Sequence, residues 1–208
     1  MISIVHSISV NGLESAIIDI EVDINNWLPA FTIVWLPDQW VQESKERLRS
    51  ALKSSWARLP MNRITVNLAP ADIKKSGPSF DLPIAVGILL REDWIKENDI
   101  VKSSIFIWEL ALDWKLRKVS WVLPSTIWAK EKWYKRVFLP EWNWIEASIV
   151  PWIDIIPVKN LKDLIAMLNN DKEIIIQEKV ELNLNESEES KHDFKYVIWQ
   201  EHAKRALE

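Results

Sequence analysis

The chain has 208 residues, of which 48% are hydrophobic and 27% charged, and its net charge is −4 at neutral pH. These values are typical of one globular domain with an extension, or of two small domains. Absence of cysteine excludes a disulfide framework and a thiolate metal site, and three scattered histidines favour no metal site of another kind. No run approaches the roughly 18 apolar residues of a membrane span, and the N-terminus is patterned as a strand, so we expect a cytoplasmic protein without a membrane partner.

The first predicted element is a β-hairpin. Residues 16–24 alternate Ile or Val with Asp or Glu, which predicts a strand with one buried and one solvent-facing side. Residues 2–10 form its partner, and Asn11-Gly12 before residue 16 suits a tight turn that needs positive φ. A short third strand is predicted over residues 30–34.

A basic amphipathic helix follows, capped by Asp38 and ending at about Ser54. Its predicted core-facing residues are Val41, Leu48, Ala51 and Leu52. Residues 39–75 carry eight Lys or Arg against three acidic residues. This excess fits a surface that faces nucleic acid, and it equally fits the solvated side of an ordinary helix, which is the commoner situation. Under the first interpretation, Lys45, Arg49 and Lys53 bind DNA.

The remaining elements alternate between strands and helices. Strands are predicted at 63–70, 104–110, 136–139 and 153–157, with a further short strand after a tight turn at 112–115. Helices are predicted at 79–90, 122–132, 143–149 and 160–169. This mixture predicts an α/β (or α+β) domain with one mixed sheet and packed helices.

The C-terminal part changes character. Residues 171–193 carry eight acidic residues against three lysines, and we interpret residues 171–192 as an acidic linker. Residues 193–208 begin a new helix. Because the sequence stops on a helix-forming phrase without a cap, we expect it to be truncated.

Tryptophan stands at many positions where a chain normally turns. The sequence has 14 Trp and 3 Gly, whereas a protein of this length has about 15 Gly on average. In "INNWLPAFTIVWLPDQW", each Trp lies within two residues of Asn, Pro or Asp, which normally mark turns and helix starts. A non-glycine residue in left-handed geometry costs about 1–2 kcal/mol. A Trp-rich binding surface is the alternative, but it would place its aromatic rings on strands or groove faces.

We therefore hypothesise that most Trp positions are glycines: a UGA codon read as glycine in the cell is written as Trp by a translation table that assigns UGA to tryptophan. UGG codons at these positions would contradict the hypothesis. We expect the indoles to be crowded or to project outward at turns.

Several long phrases identify the family that the chain resembles. "ESKERLRSALKSS", "RITVNLAPADIKKSGPSFDLPIAVGIL", "ELALDWKLRKVSWVLP" and "WQEHAKRALE" resemble the YifB/ComM family of magnesium-chelatase-related AAA+ ATPases. The resemblance covers nearly the whole chain. It implies a Lon-protease-like, ribosomal S5 domain 2-like domain over 1–170 and the start of an AAA+ module over 193–208. The family pattern has glycine at Trp27, Trp35, Trp56, Trp108, Trp114, Trp121, Trp133, Trp152 and Trp199, and it varies at Trp40, Trp94, Trp128, Trp142 and Trp144.

The resemblance also implies a function. The full-length protein is expected to be an ATP-dependent motor on DNA, of the branch-migration helicase type and related to competence, with ATP and Mg²⁺ as cofactors and a hexameric ring formed through the AAA+ module. The edge of the adenine pocket would be formed by Val197, Ile198, Trp199 and Gln200. No G-x-x-x-x-G-K-[ST] phosphate loop occurs in these 208 residues. We therefore expect this fragment to bind no cofactor and to hydrolyse no ATP alone.

Two other functions stay open. Residues 1–170 would act as a non-catalytic module that binds DNA or a partner, or that supports the ring. A Lon-type peptidase would need a Ser–Lys pair, in which the lysine activates the serine. Ser79 occupies the nucleophile position, but Leu123 and Ser125 stand where the lysine is expected, and Lys130 and Lys132 follow five or more residues later. Ser79 is also a good helix N-cap, so we assign no catalytic residue.

Overall fold

A computed structural model describes residues 2–11, 14–34, 38–71, 73, 80–107, 110, 118–180 and 205. Its strands are β1 (Ser3–Asn11), β2 (Glu14–Asn25), β3 (Ala30–Ile33), β4 (Arg63–Ala69), β5 (Ser104–Phe106), β6 (Arg136–Pro140) and β7 (Asp154–Val158). They form one sheet in the order β3-β4-β2-β1-β5-β6-β7. Strand β2 runs antiparallel to β1 and β4, whereas the other neighbouring strands are parallel. The predicted α/β class with one mixed sheet is confirmed.

The helices pack on both faces of this sheet. They are α1 (Asp38–Ser54), α2 (Asp81–Arg91), α3 (Asp99–Lys102), α4 (Val122–Glu131), α5 (Trp144–Ser148) and α6 (Leu161–Leu168). Each face of the sheet has its own hydrophobic core. In β5, Phe106 belongs to the core that includes α1, α2 and α6, and its neighbour Ile105 belongs to the core that includes α4 and α5. In the described part of the chain, none of these helices is long and apolar enough to span a bilayer.

The structure differs from the sequence-based expectation in one missed helix and in two elements that are clearly shorter than predicted. Helix α3 was not predicted, because its four residues are too short to show a periodic pattern; Asn98 caps it by accepting a hydrogen bond from the Val101 N–H at 3.0 Å. Strand β5 ends at Phe106 instead of continuing to residue 110. Helix α5 is shorter than predicted, because a 3₁₀ turn occupies Glu141–Asn143 after the end of β6. The turn predicted at 112–115 lies outside the described residues. The short strand predicted after it does not occur in residues 118–121, which are described and irregular.

The N-terminal hairpin has the predicted two-sided character. Ile18, Ile20 and Val22 of β2 are buried, and the acidic residues between them lie on the other face. Helix α2 packs closely on this hairpin through Gly87. A Cβ atom at Gly87 would lie 2.5 Å from Cγ2 of Val22, so only glycine permits this approach.

Four helices end in the same type of turn, in which one left-handed residue follows the helix and the next N–H bonds to a carbonyl five residues earlier. In α1, for example, the Ala57 N–H donates to the Leu52 oxygen at 3.0 Å. The left-handed residues are Trp56, Asp93, Trp133 and Asn170, with φ of 68°, 57°, 65° and 62°. This position normally holds glycine, and sometimes asparagine, because a Cβ atom is strained there. Tryptophan at two such positions is therefore a conformational conflict.

Positive φ distinguishes the tryptophans at positions of implied glycine from the tryptophans at variable positions. Among the described positions where the resemblance implies glycine, φ is positive at Trp56, Trp121, Trp133 and Trp152 and not at Trp27. At the five tryptophans where the resemblance implies a variable residue, all of them described, φ is not positive. The four left-handed indoles are 58–91% exposed, as expected for side chains that project outward at turns. Backbone geometry therefore supports the glycine hypothesis and argues against a tryptophan binding surface.

Residues 171–180 lie against the edge of the sheet at β7. The Gln177 N–H donates to the Ile155 oxygen at 3.0 Å, and the Lys179 ammonium donates to the Val150 oxygen at 2.8 Å. Burial lowers the pKa of Lys179 from its ordinary value. The beginning of the predicted linker is thus bonded to the domain, while the boundaries predicted for the linker and for the segment after it stay predictions.

Candidate nucleic-acid interface

Helix α1 presents one basic stripe. Lys45, Arg49 and Lys53 are spaced by four residues and therefore lie on the same side of the helix. Leu48 and Leu52 are fully buried on the side that packs against the sheet. The four predicted core residues of α1 are all buried, so the predicted orientation of this helix is confirmed.

The stripe borders a pocket of about 340 Å³ between α1, the start of β3 and the segment that enters β4. The pocket is lined by Pro29, Ala30, Phe31, Lys45, Arg49, Lys53, Arg58, Leu59, Pro60, Met61, Asn62 and Ile64. All three residues predicted to bind DNA are thus brought together at one concave site. Arg58 joins them as a fourth cation that the helical spacing did not reveal, because it lies beyond the end of α1.

The charges of this pocket are largely uncompensated. Arg49 forms an ion pair with Glu46 at 3.1 Å, but both side chains are more than half exposed, and such surface pairs contribute little. Within the described ranges, neither Lys45, Lys53 nor Arg58 forms an ion pair with an acidic residue. The pocket therefore presents a positive potential, and that potential attracts phosphate groups.

A buried carboxylate fixes the position of α1. Asp81, the first residue of α2, is 2% exposed and accepts hydrogen bonds from Ser44 Oγ at 2.7 Å and Arg47 Nε at 2.5 Å. Arg47 Nη2 lies 3.3 Å from the other carboxylate oxygen, so the guanidinium contacts Asp81 through two nitrogens. Because Ser44 and Arg47 flank Lys45, this contact holds the basic stripe in place over the pocket.

The other predicted site residues are not brought to this pocket. Ser79 and the adenine-pocket segment Val197–Gln200 lie outside the described residues. At the positions where a peptidase would need lysine, Ser125 is buried and its Oγ donates to the Trp121 oxygen at 2.7 Å. Within the part of the chain that the structure covers, no group of three or more His, Asp or Glu side chains is arranged to hold a metal ion.

A separate cluster joins β1, β2 and the end of α4. His6 Nδ1 lies 2.8 Å from the Asp19 carboxylate, and the ring of Tyr134 lies 5.3 Å from the His6 ring between centroids. Burial raises the pKa of the Tyr134 phenol to about 12, and the Asp19 carboxylate adds to this effect. We interpret this cluster as a packing contact.

This pKa shift predicts a loss of stability at high pH. The unfolded chain loses its tyrosine proton near pH 10, whereas folded Tyr134 keeps its proton until about pH 12. The free energy of unfolding should therefore fall as pH rises between these two values. Tyr134→Phe removes this contribution, so the advantage of the parent chain over Tyr134→Phe in urea unfolding should shrink from about pH 9 to about pH 11.5. A difference that is constant with pH would contradict the assignment.

A comparison with models of known protein families matches more than half of this chain. Residues 20–143 match the family model described as subunit ChlI of Mg-chelatase. The matched region runs from within β2 to the 3₁₀ turn after β6, so it includes α1 and every residue that lines the pocket.

Individual proteins similar to this chain identify the family more closely. The chain is 38% identical over 208 residues to the competence protein ComM of Haemophilus influenzae, a match that covers 99% of this chain and 40% of ComM. It is 32% identical over 207 residues to YifB of Escherichia coli K12, covering 100% of this chain and 40% of YifB. YifB of Salmonella typhimurium is 40% identical over 124 residues, or 60% of this chain and 24% of that protein. The chain belongs to the YifB/ComM family of Mg-chelatase-related AAA+ proteins. It spans about 40% of the length of ComM and of Escherichia coli YifB.

Proposed function

We propose that the whole protein is an ATP-driven motor that acts on DNA, of the branch-migration type, and that the described domain supplies one of its DNA contacts. The observation that carries the proposal is the convergence of Lys45, Arg49, Lys53 and Arg58 on one pocket. Sequence identity to a protein named for competence covers 99% of this chain. This similarity agrees with DNA as the substrate.

The physical basis of the DNA contact is the phosphate charge. Each phosphate that a lysine or arginine neutralises releases condensed counterions, which makes binding favourable and dependent on salt. Four cations at one site, three of them without an acidic partner among the described residues, suit this role.

The chemistry of ATP belongs to the AAA+ part of the proposal. ATP and Mg²⁺ would be held by a phosphate loop, and these 208 residues contain no such motif. Val197–Gln200 would form the edge of the adenine pocket, and the AAA+ module would assemble the hexameric ring. The role of the described domain in this scheme is to bind, without catalysing a step.

The DNA contact is tested by reversing the charge of the stripe. The triple variant Lys45→Glu, Arg49→Glu, Lys53→Glu is expected to weaken binding of a fluorescent DNA duplex at low salt by at least about tenfold. Its slope of log K against log salt should be shallower by about 2–3, because about three phosphate contacts are lost.

The matched control is Lys96→Glu, Lys102→Glu, Lys118→Glu, which changes the net charge equally at exposed lysines away from the pocket. It should affect affinity far less than the stripe variant. If the stripe variant and the control bound DNA equally well, the proposed DNA contact would be wrong and the stripe would be an ordinary solvated helix face.

A further inference from the structure

We propose that the α1 pocket receives one unpaired nucleotide, with its base against the apolar floor and its phosphate against the cations of the stripe. This inference rests on the proposed DNA contact and specifies its ligand. The nucleotide is a unit of a single strand or a free nucleotide, since both present the same chemistry.

The floor of the pocket is suited to a planar ring. Phe31 and Ile64 are buried side chains that also line the pocket, and Leu59 packs beside them against the main core. Phe31 is 9% exposed and contributes part of an aromatic ring that the core holds in place, and the half-buried Leu59 and Pro60 and the exposed Met61 add to the apolar lining. A base offers apolar faces to such a surface, and stacking on an aromatic side chain is tolerant of sequence because every base has a π face.

The rim of the pocket is suited to a phosphate. Lys45, Arg49 and Lys53 follow one side of α1, and Arg58 closes the row beyond the helix. A floor that is apolar below a cationic rim matches the two halves of a nucleotide, whereas a site for phosphate alone would need no apolar floor. This combination of stacking surface and basic groove is the usual arrangement in proteins that bind single strands.

The size of the pocket suits one unpaired nucleotide. Its volume of about 340 Å³ lies at the lower end of the range for small-molecule sites. A base inside a duplex is stacked and paired, so a duplex presents its phosphates to the stripe and leaves the floor uncovered. We therefore expect the cations to serve both forms of DNA and the floor to serve only the unpaired form.

The first experiment compares three probes of equal length on the full 208-residue chain: an oligo-thymidine strand, the same strand with abasic sites, and a duplex. Fluorescence anisotropy at fixed salt should show the thymidine strand binding about tenfold more tightly than the abasic strand. The two strands carry the same phosphates, so the difference reports the bases. Equal affinity for the two strands would overturn the proposal.

The second experiment fills the pocket without changing its charge. Leu59→Trp should reduce the advantage of the thymidine strand over the abasic strand to less than about threefold. Ile127→Trp is the matched control, since it adds the same side chain at an exposed position on α4 outside the pocket. If circular dichroism shows that Leu59→Trp does not fold, Phe31→Leu replaces it, with the same expected loss. A full advantage in a folded pocket variant would overturn the proposal.

Competition with free thymidine monophosphate distinguishes a free nucleotide from a nucleotide within a single strand as the ligand of the pocket. Displacement of the strand at millimolar concentration would identify a free nucleotide as a ligand, and its absence would restrict the pocket to a nucleotide within a strand. The two proposals fail separately: duplex binding that ignores the charge-reversed stripe contradicts the proposed function, whereas binding that responds to the stripe but not to the bases contradicts only the unpaired nucleotide.

Discussion

Replacing Trp56, Trp121, Trp133 and Trp152 together by glycine is expected to raise the free energy of unfolding by about 2–4 kcal/mol. All four residues have φ between 65° and 68°. A side chain in this left-handed region costs about 1–2 kcal/mol per residue, and the greater freedom of glycine in the unfolded chain offsets about 0.5–1 kcal/mol of that. Urea unfolding of the parent chain and of the quadruple variant measures the gain.

Two controls separate backbone strain from the removal of exposed indoles. The quadruple alanine variant also removes the rings but keeps a Cβ atom at each left-handed position, so it should gain much less. Trp142→Gly removes an exposed indole where φ is not positive and should give no gain. If the alanine variant matched the glycine variant, strain would not be the cause and the glycine hypothesis would lose its structural support. UGA codons at these positions in the gene would support it independently.

Asp81→Ala is expected to lower the free energy of unfolding by about 3–5 kcal/mol. The buried carboxylate accepts hydrogen bonds from Ser44 and Arg47, and Arg47 is only 19% exposed. Removing the carboxylate leaves the largely buried guanidinium with a poorer partner, the exposed Glu43 at 3.8 Å, and this loss exceeds the net contribution of the intact pair. Since Ser44 and Arg47 belong to α1, the variant should also loosen the basic stripe and weaken DNA binding.

A surface pair supplies the matched comparison for Asp81. Glu46→Ala breaks the exposed pair with Arg49 and should cost less than about 1 kcal/mol. The double variant Arg47→Ala, Asp81→Ala should be more stable than the sum of the single losses predicts, because it removes the buried guanidinium together with the carboxylate. A loss for Asp81→Ala no larger than that for Glu46→Ala would show that the contact does not hold α1 to α2.

Local pattern predicted most of the secondary structure. The alternation over residues 16–24 and the apolar side of α1 each reflect a repeat that the backbone imposes, and both were confirmed by burial. The same reasoning missed α3, whose four residues span little more than one helical turn. It also extended β5 too far, because an apolar run does not show where pairing with a neighbouring strand stops.

Within the candidate site, the sequence supplied the stripe and the fold supplied the pocket. Lys45, Arg49 and Lys53 share one side of a helix by spacing alone. Arg58 gave no periodic signal, and its place beside them became visible only when the turn after α1 was known.

The sequence by itself determined the composition conflict at the turns, the mixed α/β class, the basic side of α1 and the family. These depend on short-range rules: helical and strand periods, turn geometry and contiguous phrases. Only the tertiary structure decided that the stripe borders an apolar floor, because that floor joins Phe31 to Ile64 across two paired strands. It alone also placed Asp81 against Arg47, 34 residues apart in the chain. Contacts between distant residues depend on how whole elements pack, and no local pattern encodes them.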